Sequence, residues 1–552
     1  MQNVQVNDQF PVPPTARSIL LGFPPAGPLW PNAIRASSAF LLPAVVALML
    51  GHPREAVLCS IGALAVLYGE NRAYRIRWRV VLAVGSANVA SFSLTMLVSH
   101  ISSVSYFAII PLIAVIAATT TYVMNSLRWG APGPVFVVLA ASVGALSPYS
   151  GLSVPVATMW VAVGVAGALI ATMTPILVDP LGPARRAVEA AEKAVDAFAS
   201  NIGASPTERH RTAKHTAGAA IHHGWATLRD AGLVSIDSPS TLAHSLRAAH
   251  IRFLTLVARD PTNDAAPEIE VLPPATFPLG RPTVRFRLRR AFHYRAQPMV
   301  AALRVLISTS AAGAIGASIG LEHPEWAMVA AVLVLGGAPD RIAGSYRGIQ
   351  RFIGTAVGIV LFIAVYAWEP HGLVLVCVLG LLLFGIELTV PRNYAVAASF
   401  ITPLALLLST SMQPGHDALT VSAYRLVETA IGVSVALIAL WTMSWREDHR
   451  MQRHAELQCL SSIAAVVDAY SSDAQTLLSL RRDAQFDLIG AALAADAAAR
   501  SVPSWARTQW PTHVRLIVLG YKVLARVVSA TPSEVADMRQ EIGDVRSALL
   551  ST

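Results

Sequence analysis

Residues 419–443 read LTVSAYRLVETAIGVSVALIALWTM, an apolar run with two charges in it, Arg425 and Glu428. A bilayer core takes roughly 20 helical residues to cross, and this run is long enough. A guanidinium or carboxylate at mid-bilayer costs roughly 2.5–3.5 kcal/mol on insertion scales, so it needs a partner or a water-filled cavity. Their i,i+3 spacing places both on one helix face. Two readings fit: an anion-attracting arginine beside a protonatable glutamate in a transport path, or an interior ion pair that fixes helix packing.

Working outward, that run closes an apolar block over 298–444, and a second block covers 34–178. Polar, Arg-rich stretches follow each of them at 179–297 and 445–552. Over all 552 residues 54% are apolar and 14% charged, against roughly 25% charged in an ordinary soluble domain. That excludes a plain cytosolic enzyme, and the mean hydropathy of +0.53 averages two kinds of sequence. Each block has room for six spans of roughly 20 residues. The first six are predicted near 34–50, 55–70, 79–99, 104–124, 132–147 and 154–178. The second six fall near 299–320, 325–339, 350–368, 371–390, 393–411 and 419–443.

The net charge of +9 is placed as in an oriented membrane protein. Arg72, Arg75, Arg77, Arg79, Arg128, Arg341, Arg347, Arg351 and Arg392 fall in alternate loops, while the intervening loops contain Arg54. The positive-inside rule puts those alternate loops, both polar segments and both termini in the cytoplasm. No removed signal peptide is expected from the first 33 residues. Cys59, Cys377 and Cys459 have neither disulfide nor zinc spacing.

The two blocks resemble each other. Ala33-Ile34-Arg35 pairs with Ala302-Leu303-Arg304, and His52-Pro53 through Ala56 pairs with His323-Pro324 through Ala327. Tyr74-Arg75 with Arg79 pairs with Tyr346-Arg347 and Arg351, and Arg128 through Ala131 pairs with Arg392 through Ala395. The separations run from 264 to 272 residues, in order, as expected of a duplication. An even span count makes it a parallel repeat with its axis along the membrane normal. The fold expected is all-α: a polytopic membrane protein of two six-helix repeats, each followed by a cytoplasmic helical domain. The segments are 1–33, 34–178, 179–297, 298–444 and 445–552.

Further candidates have plainer roles beside functional ones. Glu387 and Arg392 bracket a span end around Pro391 and read as an interfacial pair. Arg35 and Arg304 open the first span of each copy, where snorkelling to headgroups is the commoner role. Thr402-Pro403 predicts a mid-span kink, and broken helices place substrate sites in transporters. The GxxxG pairs Gly316/Gly320 and Gly354/Gly358 read as close helix packing. Gly316 through Gly320 also matches a nucleophile-elbow pattern, but inside an apolar helix, so it is discounted. Lys193, Lys214 and Lys522 lack a phosphate-loop context. His210, His215, His222, His223, His244 and His250 read as solvated helix faces, without metal-ligand spacing. The run Arg281, Arg285, Arg287, Arg289, Arg290 and Arg295 reads as a lead-in that binds anionic headgroups, not nucleic acid.

These residues resemble the fusaric acid resistance family of inner-membrane proteins, which includes aromatic acid exporters. The resemblance rests on Tyr346-Arg347-x-x-x-Arg351-x-x-Gly354-Thr355, on Pro391-Arg392-Asn393-Tyr394-Ala395 with Phe400-Ile401-Thr402-Pro403, and on Arg425-Leu426-Val427-Glu428-Thr429-x-x-Gly432. It implies export of aromatic carboxylic acids or related toxic amphiphiles, driven by the proton gradient. A likeness to plant malate channels implies an anion path. Trp160 and Val163 stand about where Arg425 and Glu428 stand, so the first copy departs from the pattern.

The reading is an inner-membrane exporter of small organic anions, not an enzyme, needing no cofactor or metal. Arg425, Arg304 and Arg392 are its substrate-binding candidates, Glu428 and Glu387 its proton-coupling candidates, and Thr402 and Pro403 its kink. A homo-oligomer, or a complex with membrane or periplasmic subunits, is expected. The alternatives are a passive anion channel and a membrane scaffold that transports nothing.

Overall fold

In this computed structural model the described residues are 10, 16–20, 22–23, 29–70, 72–101, 105–130, 132–147, 151–201, 208–234, 240–258, 280–336, 340–412 and 417–551. Among them every regular element is a helix. After α1 (Ala16–Leu20) come α2 (Trp30–Met49), α3 (Pro53–Ala63), α4 (Tyr74–Ile101), α5 (Ser105–Ser126), α6 (Val135–Leu146) and α7 (Val154–Met173). Next are α8 (Gly182–Ala199), α9 (Glu208–Ala231), α10 (Thr241–Ala258) and α11 (Val284–Ala291). The second apolar block folds as α12 (Gln297–Ser318), α13 (Glu325–Leu335), α14 (Arg341–Tyr366), α15 (Gly372–Thr389), α16 (Tyr394–Met412) and α17 (Ala418–Asp468). The chain ends in α18 (Ala474–Ser501), α19 (Pro503–Arg526) and α20 (Pro532–Ser551).

Among the described residues nine helices are long and apolar enough to cross a membrane. The protein is therefore a multi-pass membrane protein. Three of the twelve apolar segments form shorter helices: α3 with 11 residues, α6 with 12 and α13 with 11. At 1.5 Å per residue these reach about 18 Å, well short of a 30 Å hydrocarbon core. Every residue of α6 and α13 is buried, so neighbouring helices cover them instead of lipid. Backbone that leaves helical geometry at membrane depth must be enclosed in this way. The ends of the short helices converge: the Tyr68 hydroxyl, just past α3, donates to the Gly133 carbonyl at 2.6 Å. A Cβ on Gly133, just before α6, would lie 3.0 Å from the Gly336 carbonyl at the end of α13.

Each half uses the same helix pairs. α2 packs on α3 and α7, α3 on α7, and α4 on α6 and α7; correspondingly α12 packs on α13 and α17, α13 on α17, and α14 on α16 and α17. The fourth helix of each half crosses over, α5 onto α12 and α15 onto α2. Glycines make room at both crossings, with Gly380 against Leu41 and Gly313 against Ile110. Ser37 also donates to the Gly380 carbonyl at 2.8 Å.

The polar stretches have their own small cores. One joins α8, α9 and α10 through residues such as Val188, Phe198, Trp225 and Leu246. Another joins the far end of α17 to α18, α19 and α20 through Ile463, Leu488, Leu519 and Met538. The 51 residues of α17 make it about 77 Å long, so one helix runs from the membrane into that second core. Arg500 holds Asp340, the N-cap of α14, at 2.8 Å, and Arg341 bonds the Ser501 carbonyl.

Candidate functional site

The short helix α13 starts beside the first turns of α17. A Cβ on Gly432 would strike the Ala327 carbonyl, so the glycine lets the two backbones meet. That approach sets the Trp326 ring 4.2 Å from the Arg425 guanidinium carbon, as a cation–π contact. Arg425 and Glu428 are each 2% exposed, with their charged atoms 4.0 Å apart. Arg425 Nε and Nη1 have no hydrogen-bond partner. A pair at 4 Å gains about 4 kcal/mol at an effective dielectric of 20, against a desolvation cost of several kcal/mol for each ion. The pair is loose and weakly compensated, unlike a well-fitted structural bridge.

A half-open cleft ends on this pair. Its empty space is about 400 Å³, open solvent included, and Glu322, His323, Trp326, Ser409, Tyr424, Arg425 and Glu428 are among its lining residues. The enclosed part holds about one or two waters. Its lining comes from the α12–α13 turn, the start of α13, the last turns of α16 and the first turns of α17. His323 faces Glu325 at 3.3 Å, and Glu325 is 4% exposed in the first turn of α13.

The other expected site residues lie elsewhere. Arg304 pairs at 3.8 Å with Glu447, which is 22 residues and about 33 Å along α17 from Arg425. The structure therefore does not bring Arg304 and Arg425 together. Near Arg304 the Asp448 carboxyl, beyond the spanning part of α17, is pushed up to about 6 by burial against the pull of Arg304. Arg392 stacks over Phe23, 5.5 Å from the ring centre. Glu387, on α15, interacts with Arg35 and Glu70, and Arg35 meets Glu70 at 4.0 Å. Glu387 and Arg392 thus form no interfacial pair, because α15 docks on α2 and carries Glu387 toward that helix. Thr402 donates back to the Ala398 carbonyl at 2.9 Å. Pro403 leaves the Ser399 carbonyl without its helical N–H, and Gly358 of α14 packs against that carbonyl and Thr402. The last turns of α16, beyond this proline, line the cleft through Leu406, Ser409 and Thr410.

Several buried polar positions escape a reading of the sequence. Arg351 is not in a loop; it sits ten residues into α14 and is fully buried. Arg347, one turn before it, donates to the Leu333 carbonyl at the end of α13 at 2.9 Å and stacks 4.4 Å from the Tyr394 ring centre. Asn393 caps α16 by accepting from Ala395 N–H at 2.9 Å, and its amide donates to the Leu20 carbonyl at 3.0 Å. The arginine-spaced motif and the Pro-Arg-Asn-Tyr motif are thus joints between helix ends. The i,i+4 spacing of Arg347 and Arg351 is the available signal. Glu325 and Trp326 stand in the sequence as repeat markers, without a role. Among the described residues no group of three His, Cys, Asp or Glu side chains is arranged to hold a metal.

In the first half, Gly164 rests on the Cys59 carbonyl of α3 as Gly432 rests on the Ala327 carbonyl of α13. That register places Ala157 and Trp160, not the expected Trp160 and Val163, at the positions of Arg425 and Glu428. His52, paired with Glu55 at 3.2 Å, lies 5.4 Å from the Trp160 ring. In that register an aromatic residue stands where the second half has Glu428.

Residues 311–439 match the family model described as fusaric acid resistance protein-like. This part of the chain is similar to fusaric acid resistance proteins. The matched segment runs from within α12 into α17 and contains Trp326, Arg351, Pro403, Arg425 and Glu428. Over 467 residues the chain is 23% identical to a Bacillus subtilis (strain 168) protein named "Uncharacterized membrane protein YvaC", across 76% of this chain and 73% of that one. No solved structure matches. With nine span-length helices among the described residues, the chain is a membrane protein that is similar over this segment to fusaric acid resistance proteins.

Proposed function

We propose that this protein exports small organic anions, aromatic carboxylic acids or related amphiphiles, across the inner membrane in exchange for protons. Its arginine-rich side and both termini then face the cytoplasm, in line with the positive-inside rule. The supporting observation is the buried Arg425–Glu428 pair at the floor of a half-open cleft. A carboxylate does not cross hydrocarbon as an ion, and a free guanidinium is a matched receptor for it.

Ionised Glu428 competes with the substrate for Arg425. With Glu428 protonated from the outside, Arg425 is free to take a carboxylate from the cytoplasm. Glu428 then gives its proton to the cytoplasm, and its restored charge displaces the carboxylate outward. One anion leaves as one proton enters. The membrane potential adds about 2.3 kcal/mol per 100 mV for each negative charge moved out of an inside-negative cell. The cleft is too narrow for an aromatic ring, so α16 and α17 must part during the cycle, which favours a carrier over an open channel. The like-for-like helix pairs and the 264–272-residue spacing support two copies of one ancestral unit.

The test uses cells lacking the protein, challenged with a panel of aromatic acids and amphiphilic drugs. The full chain should restore resistance and efflux. Arg425→Ala should abolish both at normal membrane abundance, and Glu428→Gln should make residual efflux insensitive to the proton gradient. Efflux by Arg425→Ala equal to that of the natural chain would refute the assignment.

A further inference from the structure

Arg351 stands out among the buried groups that this cycle does not use. It is fully buried, and none of its Nε, Nη1 and Nη2 atoms makes a hydrogen bond of good geometry. A guanidinium carries five donors and no acceptor, and left unpaired in the interior it is among the costliest groups a protein can bury. The polar group beside it is the Tyr394 hydroxyl, a neutral phenol that does not balance its charge, and Arg425 is near enough to repel it.

The neighbouring groups extend the pattern. Thr355 is one turn along α14 from Arg351, and Thr429 is one turn along α17 from Arg425, each on the same helix face as its arginine. Both threonines are buried, and both hydroxyls lack a hydrogen-bond partner. α14 and α17 are packed together, with Gly348 against Val433 and Leu437. Two buried arginines close enough to repel each other, and two buried threonine hydroxyls without a hydrogen-bond partner, thus lie on the packed helices α14 and α17. Buried donors are nearly always paired, so this cluster is a receptor waiting for an acceptor. Glu325 and Glu322 also act on the Arg425–Glu428 pair, so protonation of Glu428 is what frees Arg425 for an incoming anion.

We propose that Arg351 and Arg425 together form an occluded site for one carboxylate, with Thr355 and Thr429 as additional donors. The site lies deeper than the cleft. The inference rests on the export reading for the identity of the anion, while the two-arginine receptor stands on the geometry. It makes Arg351 a binding residue, and it selects carboxylates over neutral amphiphiles.

Thermal unfolding of the purified full chain in detergent tests this, with benzoate as probe, benzamide as its uncharged counterpart and nitrate as a small anion. Benzoate should raise the melting temperature of the natural chain, and benzamide should not. Arg351→Met should melt higher than the natural chain without ligand, because a costly buried charge is gone, and should lose the response to benzoate. Arg351→Lys should bind benzoate at least tenfold more weakly. Should Arg351→Met fail to fold, the lysine variant carries the test. Benzoate stabilisation undiminished in either arginine variant overturns the site. If benzoate acts on the natural chain and Arg425→Ala abolishes the effect while Arg351→Met does not, Arg351 is excluded and the export reading stands. A response to nitrate alone keeps the anion site and removes aromatic export. No response to either anion overturns both.

Discussion

Arg347 and Arg351 lie one helical turn apart on α14, yet one meets the carbonyl end of α13 and the other is buried without a hydrogen bond of good geometry. The sequence contains nothing that separates them. Both follow Arg341 in a basic cluster, and the charge asymmetry that orients a membrane protein assigns all three to an interface. Arg425 and Glu428 are legible because they interrupt a clean apolar run; Arg351 is hidden by its neighbours. Arg304 and Arg392 can be identified as charges near spans, but which helix they face depends on packing that periodicity does not report. The histidines show the same limit. His222 and His244 are exposed, as solvated faces require, while His250 turns inward and accepts the Trp225 indole N–H at 3.1 Å. Burial pulls the His250 imidazole down to about 4. Its folded value lies below its ordinary 6.5, so this contribution is complete above pH 6.5 and declines as pH falls toward 4, by up to about 3 kcal/mol. The α8–α10 unit should therefore soften across that window, followed by Trp225 fluorescence on heating the intact protein. His250→Phe should flatten the pH dependence; equal slopes in the two proteins would contradict the assignment.

At the scale of elements, the apolar runs near 55–70, 132–147 and 325–339 are recognisable, but their helices are shorter than the runs. A 3-10 turn at Leu64–Leu67 follows α3, and Gly336 ends α13. Hydropathy registers burial, and burial inside a bundle looks the same as burial in lipid. The Gly354/Gly358 pair is legible as packing: its face meets Ala395, Ala398 and Thr402 of α16. The Gly316/Gly320 pair has the same spacing and a different use, since Gly316 packs on Pro324 and Gly320 adopts φ +78° past the end of α12. Replacing Gly354 by Leu drives a side chain into Ala398, whose Cβ is 2.5 Å from where the new Cβ would stand, and into the Ala395 carbonyl. The expected loss is about 1–3 kcal/mol, seen as a lower melting temperature and lost benzoate response, because α14 carries Arg351. Gly543 of α20 has nothing within 4 Å of a Cβ, so Gly543→Ala should gain up to about 1 kcal/mol from helix propensity. Equal melting temperatures for the two variants would contradict the packing described for α14 and α16.

For the whole molecule, composition and block structure are enough to read an all-helical membrane protein with helical polar segments. The crossing of α5 onto α12 and of α15 onto α2 is not legible, because apolar helices of similar composition pack equally well in many orders. The crossing interlocks the halves, while Asp340–Arg500 and the unbroken α17 tie the second half to α18–α20. In the glycine register, Trp160 of the first half stands where the second half has Glu428. The account therefore assigns a single anion path, through the second half. Transport in reconstituted vesicles tests this most directly: radiolabelled benzoate is loaded at equal protein density for the natural chain, Arg425→Ala and Trp160→Ala, with a proton gradient imposed. The account predicts gradient-driven benzoate movement that Arg425→Ala reduces to the empty-vesicle level and Trp160→Ala leaves within about twofold. Movement that survives Arg425→Ala, or that Trp160→Ala abolishes in a folded protein, would contradict it.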